Sequence, residues 1–257
     1  MALARTRLAR RSSWGLVFDF ALPGSHFVPS RLLALSPSGY NDGMNWLAHI
    51  FLSDNHIEYQ LGNLLADLLK GKSWQGASPR FDDGLAMHQA IDRFTDQHPF
   101  VKRSKQRIGP QGRLKAVVID ITYDHLLAKN WQHYSDQPLV DFINGFHTHA
   151  QLACRHYPEP ARTFLCRLIR SGHLLHYHTL LGLEEAFRRL DLRLSDRVRR
   201  KESTLAYLPL VRDQLTNIEK DFSHFMPDLI DHFKSFSGLS LDDHWLKKNS
   251  VFNPALC

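Results

Sequence analysis

The stretch Leu114-Lys-Ala-Val-Val-Ile-Asp-Ile-Thr-Tyr-Asp-His-Leu-Leu-Ala-Lys-Asn-Trp131 decides how this chain folds. Its apolar residues recur at helical spacing, which predicts a helix over 112–132. On that helix Val117, Ile121, Leu127 and Trp131 share a side with Asp120 and Asp124. A spacing of i, i+4 makes the two Asp neighbours on one surface. Two ionised carboxylates side by side in an apolar setting repel each other and lose hydration. Such a pair takes up a proton, finds a cationic partner or binds a metal.

The same spacing occurs twice upstream. Asn63 and Asp67 lie in Leu-Gly-Asn-Leu-Leu-Ala-Asp-Leu-Leu, and His88 and Asp92 lie in Met-His-Gln-Ala-Ile-Asp-Arg-Phe-Thr-Asp, with Asp96 one turn further on. Each pair borders an apolar stripe, so three packed helices would point all three at one place. Oxygen and imidazole ligands suit Mn²⁺, Mg²⁺ or Fe better than a closed structural zinc site. Taken alone, His88 and Asp92 also fit an exposed or capping His with a partner carboxylate. His125 points to another side of its helix, as a ligand, a proton donor or a surface His. Arg93 lies beside the acidic face, as a phosphate clamp or a plain surface Arg. Asn63 fits a phosphate donor or a packing amide equally. For His49, a buried hydrogen-bonded side chain is the commoner explanation than a ligand.

The rest of the chain agrees with an all-α class. Helices are expected over 45–53, 57–71, 81–96, 98–107, 112–132, 138–155, 158–170, 172–177, 179–191 and 202–235. Pro209 and Pro227 are expected to interrupt the last or start turns in it. No period-2 strand series and no Gly-rich phosphate loop stands out. Residues 1–43 hold five Arg against two Asp, then Pro23, Pro29, Pro37 and four Gly. They read as a targeting peptide or, preferably, as leader ahead of a start at Met44. A helical domain is expected over 44–236 and a loose polar tail over 237–257.

The formal charge is +6. Outside the leader it gathers in two groups, Lys102–Lys115 and Arg188–Lys201. These are solvated helix ends, or a landing site for an acidic protein, a phosphate ester or nucleic acid. Three Cys without a CxxC pair argue against a disulfide framework and fit a reducing, cytoplasmic setting. No apolar run approaches the ~20 residues of a membrane span. The 16 His come without CxxCH or HExxH, which leaves haem and zinc unsupported.

Several strings, in order, resemble the acyl-carrier-protein phosphodiesterase family. They are Met44-Asn-Trp-Leu-Ala-His49, Gly62-Asn-Leu-Leu-Ala-Asp67, Met87-His-Gln-Ala-Ile-Asp92-Arg-Phe-Thr-Asp96 and Ile121-Thr-Tyr-Asp-His125-Leu-Leu. Tyr177–Leu190 and Ile218–Asp228 are similar to its C-terminal half, while 143–176 match less well. The resemblance implies a helical domain distantly related to HD-domain phosphohydrolases. It implies Mn²⁺-dependent cleavage of the phosphodiester joining 4′-phosphopantetheine to a serine of acyl carrier protein, within fatty acid biosynthesis and lipid metabolism. By position it implies metal ligands at Asp67, His88, Asp92, Asp120 and Asp124, and catalytic roles for Asp67, His88, Asp92, Asp124 and His125. Ala86 departs from the pattern, since some relatives carry a second His there. Acyl carrier proteins of this kind are strongly acidic, so Arg188 and the run Arg189, Arg193, Arg197 to Lys201 are expected to receive them. Nucleic acid and membrane are not expected partners. The alternatives are an HD-type phosphohydrolase acting on nucleotides or other small phosphoesters, and a non-catalytic helical binding module.

Overall fold

The computed structural model describes residues 46–237 and 244–247. The expected leader 1–43 and start at Met44 lie outside the described residues. Eleven α-helices are present among those described: α1 Trp46–Phe51, α2 Ile57–Leu65, α3 Pro79–Gln97, α4 Pro99–Arg107, α5 Lys115–Lys129, α6 Trp131–Tyr134, α7 Leu139–Ala153, α8 Glu159–Ser171, α9 Leu180–Arg193, α10 Asp196–Arg199 and α11 Leu208–Ser237. Short 3₁₀ turns follow α7 and α8 and precede α11. The described residues contain no strand, only one antiparallel bridge between Ser135 and Leu246. The fold is all-α, as the periodicity predicts.

The stretch 114–131 contains α5, the central helix. It packs against α1, α4, α9 and α11. Twelve of its residues are buried, including Val117, Val118, Ile119, Ile121 and Thr122. That β-branched run is a poor helix former in isolation, and burial on every side overrides the propensity. Asn130 then breaks the helix, so Trp131 starts α6 rather than extending the predicted one.

Helix boundaries elsewhere have local causes. Ser78 caps α3 by accepting from Phe81 N at 3.1 Å, with Pro79 at the first helical position. Thr179 caps α9 through Gly182 N at 2.9 Å. Lys70 and Gly71, with φ of 54° and 67°, turn the chain away after α2. Pro227 does not interrupt α11 as expected; the helix runs through it. The buried side chains of Phe222, Phe225, Met226, Leu229 and Phe233 hold that helix against the core. Their burial offsets the roughly 3 kcal/mol an internal proline costs.

The tail is not loose at 244–247. His244 Nε2 donates to Ser53 O at 2.9 Å, Trp245 Nε1 to Phe51 O at 2.6 Å, and Lys247 N to Tyr134 O at 2.9 Å. His244 and Leu246 are buried. Four anchoring residues are too few to register as a period, which is why the pattern read as irregular.

The Lys102–Lys115 group splits between two faces. Arg103 and Arg107 both grip the carboxylate of fully buried Asp221 on α11, with Nε–O distances of 2.6 and 2.7 Å, and Ser104 Oγ donates to it at 3.0 Å. These two arginines are structural. Lys105, between them in sequence, lies on the opposite side of α4.

The pairing of α2 with α3 positions the functional residues. Among the described residues it is the most extensive helix–helix contact, and two glycines allow it. A Cβ at Gly62 would collide with the Phe81 carbonyl oxygen, and one at Gly84 with the Tyr59 carbonyl oxygen and Asn63 N. Gly84→Ala should therefore lower stability by about 1–3 kcal/mol through overpacking. Gly145→Ala in α7, where nothing lies within 4 Å, should raise it by about 0.5–1 kcal/mol. Urea unfolding midpoints check both; equal effects from the two substitutions would refute the close-approach explanation.

Candidate metal centre

Asn63 organises two imidazoles. Its Oδ1 accepts from His49 Nδ1 at 2.6 Å, and its backbone carbonyl accepts from His88 Nδ1 at 2.8 Å. Its amide nitrogen donates to His49 O at 2.9 Å and Ser53 Oγ at 3.0 Å, which orients the side chain. Both acceptors are oxygens, so both histidines carry their proton on Nδ1 when neutral. Their Nε2 lone pairs then face the same space, with the rings stacked at 4.2 Å between centroids.

Carboxylates line that space. Asp92 Oδ2 lies 3.2 Å from His88 Nε2, and Asp92 Oδ1 lies 3.5 Å from His49 Nε2. Asp67 Oδ1 lies 3.1 Å from His88 Nε2. A lone pair aimed at a carboxylate is repulsive unless a proton or a metal ion sits between them. Burial opposes charge on His88, yet Asp92 and Asp67 outweigh it and raise its pKa well above the usual imidazole value. Burial likewise opposes ionisation of Asp92, but His88 and His49 hold its carboxyl below the usual range. His49 Nε2 and Asp67 Oδ2 are buried without a hydrogen-bond partner. The ligand atoms of His49, His88 and Asp92 all lie within 4.8 Å of one another. This donor set fits a divalent cation. Nδ1–H bonded to a carbonyl is also how metal-bound histidines are oriented.

Asp120 faces the same cluster. Burial pushes its carboxyl up to about 7, opposed by Lys105 and reinforced by Asp92, Asp96 and Asp67. Lys105 Nζ lies 3.4 Å from Asp96 Oδ1.

Asp124, expected beside Asp120 as a ligand and catalytic group, has another task. Its two oxygens accept from Leu47 N and Ala48 N, each at 2.9 Å, and the residue is wholly buried. Burial raises its pKa, and the two backbone bonds act against that rise. Asp124 thus closes the start of α1, the helix that carries His49. His125 is also not at the cluster. Its Nδ1 donates to Tyr177 O at 2.7 Å, and its field partners are Lys129, Glu219 and His178 at the far end of α5.

Other expected positions divide similarly. Asn63 is an orienting amide rather than a free donor to phosphate. Asp67 lies just past the end of α2 and still reaches His88. Arg93 is exposed on α3. Arg189 turns inward, with Nη1 donating to His173 Nδ1 at 2.8 Å and Nε to Glu185 at 2.9 Å. Arg193 lies over Trp46, 5.5 Å from the ring centre. Arg197 is exposed. Ala86 is exposed on the outer side of α3, and the imidazole stacked on His88 is that of His49. His49 is the buried, hydrogen-bonded side chain that the sequence favours, and its Nε2 also faces Asp92. A cleft of about 400 Å³ between Lys129, Trp131, Leu139 and His178 contains no member of the cluster.

A family model described as acyl carrier protein phosphodiesterase matches residues 44–229. The chain is similar to the acyl carrier protein phosphodiesterase of Enterobacter sp. (strain 638), 37% identical over 112 residues, which are 43% of this chain and 57% of that one. It is similar to the protein of that name from Pectobacterium atrosepticum, 28% identical over 152 residues, 58% of this chain and 79% of the relative. The one from Yersinia enterocolitica is 37% identical over 125 residues, 46% and 62% of the two chains. The chain thus spans a little over half the length of the first of these relatives. No solved structure matches it.

Ligand and positioning roles separate experimentally. Asp92→Ala should abolish Mn²⁺ binding in calorimetric titration while leaving the fold intact. Asp124→Ala should lower unfolding free energy by about 1–3 kcal/mol for each orphaned N–H and weaken, without abolishing, Mn²⁺ binding. Loss of all metal binding in a folded Asp124→Ala protein would restore Asp124 as a ligand.

Proposed function

The chain belongs to the acyl carrier protein phosphodiesterase family, and from that premise we propose that it releases 4′-phosphopantetheine from holo acyl carrier protein by hydrolysing the phosphodiester. The observation that carries this reading is the convergence of His49, His88 and Asp92, with Asp67 and Asp120 beside them, in a helical frame. Two imidazoles and several carboxylates support kinship with HD-type phosphohydrolases. His49, His88 and Asp92 would hold the ion, with Asp67 as a further oxygen donor; the ion proposed is Mn²⁺, and Mg²⁺ or Fe are the other candidates for such an imidazole and carboxylate set.

A bound divalent cation supplies positive charge for phosphoryl oxygens and makes water more acidic near neutral pH. The protein's own groups do the rest. Asn63 fixes both rings, so the two Nε2 atoms are preorganised and little reorganisation accompanies the reaction. Asp120, with its carboxyl near neutrality, can hold or accept a proton at the edge of the cluster. Asp124 keeps α1, and hence His49, in register with α3.

The substrate's protein part would meet the α9–α10 face. Arg188, Arg197, Arg199, Arg200 and Lys201 are exposed there, although Arg188 and Arg199 already pair with Glu184 and Asp196. Arg197, Arg200 and Lys201 remain the best placed to attract an acidic carrier protein. Arg189 and Arg193, turned inward, serve the fold more than the partner. Among the described residues no helix is long and apolar enough to cross a membrane.

A gel-shift assay of holo acyl carrier protein tests both parts. The full chain with Mn²⁺ should convert it to the apo form, a chelator or Asp92→Ala should stop conversion, and Arg197→Glu with Arg200→Glu should raise KM several-fold with kcat retained. No conversion by a folded, Mn²⁺-binding protein would transfer the site to nucleotides or other small phosphoesters. An unchanged KM would remove the α9–α10 face.

A further inference from the structure

We propose that residues 244–247 are a strap that positions His49 for the metal centre, with His244 and Trp245 as positioning residues; the consequence for the metal rests on the reading above, the hold on His49 does not.

Helix α1 has six residues, too few to persist without tertiary support. The carbonyls at the end of a helix lack helical partners and must find others. The strap supplies them here. Trp245 Nε1 donates to Phe51 O at 2.6 Å, and His244 Nε2 donates to Ser53 O at 2.9 Å. Ser53 is the junction between the strap and the site. Its carbonyl takes His244, while its hydroxyl belongs to the His49 network: Oγ donates to His49 O at 2.8 Å and accepts from Asn63 Nδ2 at 3.0 Å. Asn63 Oδ1 in turn holds His49 Nδ1. The path from the His244 ring to the His49 ring therefore runs only through Ser53 and Asn63. All four residues are buried, so water is poorly placed to replace a bond lost along it.

The strap is itself fixed. Ser135 Oγ donates to Trp245 O at 2.8 Å, and Lys247 N donates to Tyr134 O at 2.9 Å. The Trp245 ring packs on Phe142 of α7, 4.8 Å between centroids, and Phe142 lies against Phe51 of α1. The orientation of the His244 ring is set as well. Leu246 N donates to its Nδ1 at 3.1 Å, so the ring proton sits on Nε2 and points at Ser53 O. Filling space between α1 and α11 would not call for an imidazole, since a buried polar ring loses hydration that an apolar one never had. What the imidazole adds is a directed bond to Ser53. A histidine that binds a metal needs its orienting partner held in place, and that partner needs the same. Asn63 orients His49, Ser53 steadies Asn63, and the strap steadies Ser53.

Two measurements on the full chain, both well below its melting temperature, test the strap. Solvent exchange of the His49 Nδ1 proton, followed by NMR without metal, reports the positioning; Mn²⁺ titration calorimetry reports its consequence. His244→Ala should speed the exchange and weaken Mn²⁺ binding about tenfold, the lower end of what losing an outer partner of a metal-bound histidine does. His244→Gln, whose amide can still donate to Ser53 O, should recover most of both. Trp245→Phe keeps a ring against Phe142 and loses the bond to Phe51 O; it should show smaller changes of the same kind, and it stands in if His244→Ala does not fold. Leu168→Ala, a cavity in the buried face of α8, should lower the melting temperature and leave both readings unchanged, which separates positioning from stability. Unchanged exchange or unchanged Mn²⁺ affinity in the folded strap variants, a glutamine variant no better than alanine, or an equal loss in Leu168→Ala would each overturn the proposal. Faster exchange in His244→Ala beside a wild type that binds no Mn²⁺ would keep the strap's hold on His49 and discard the metal reading.

Discussion

The hydrogen bonds of Asn63 are the constraint on which the candidate site depends. One side chain and its own carbonyl hold the Nδ1 protons of His49 and His88. Both imidazoles are thereby set in one tautomer, with both Nε2 atoms aimed at Asp92. The arrangement requires α2 to lie against α3 more closely than side chains allow, and Gly62 and Gly84 supply that approach. It also requires α1 to be held in place, and the Asp124 carboxylate does this through Leu47 N and Ala48 N. Backbone packing, capping and imidazole orientation are therefore one linked system.

Among the described residues, five buried or partly buried carboxylates take three physical roles. Asp221 is satisfied by two arginines and a serine and holds α4 to α11. Asp124 is satisfied by backbone N–H groups alone and closes a helix end. Asp67 and Asp92 lie against two imidazoles, with Asp120 in their field, which concentrates negative charge in one place. A cluster of that kind is stable only with protons or a cation, and its histidines are already oriented as ligands. Asp221 and Asp124 look the same as the others in sequence, yet their partners are arginines, a serine and backbone N–H groups rather than imidazoles.

Much of this was legible beforehand. The 3.6 period of 114–131 predicted the central helix, and the paired spacings of Asn63/Asp67 and His88/Asp92 led to the right region. Asp120 feels the charge of Asp92, Asp96 and Asp67, whereas Asp124, one turn on, meets the first N–H groups of α1: a spacing of i, i+4 places two residues on one helix face but says nothing of what each will meet along it. The sequence favours a buried, hydrogen-bonded His49, and the structure shows one; its approach to Asp92 carries no spacing signal, because the two lie on separate helices. The long basic runs hide a similar division, since Asp221, Glu185 and His173 capture some arginines while Arg197, Arg200 and Lys201 are exposed. The continuous helix through Pro227 and the anchored residues 244–247 were invisible for the same reason: tertiary contacts outweigh local propensity.

The most direct test of the central assignment is a crystal structure of the full chain with Mn²⁺, with diffraction collected at the manganese absorption edge. The anomalous peak should touch Nε2 of His49, Nε2 of His88 and the carboxylate of Asp92, with Nδ1 of both rings still on Asn63 and Asp124 still on α1. A peak coordinated by Asp124 or His125, or no peak at the imidazole pair at saturating Mn²⁺, would contradict it.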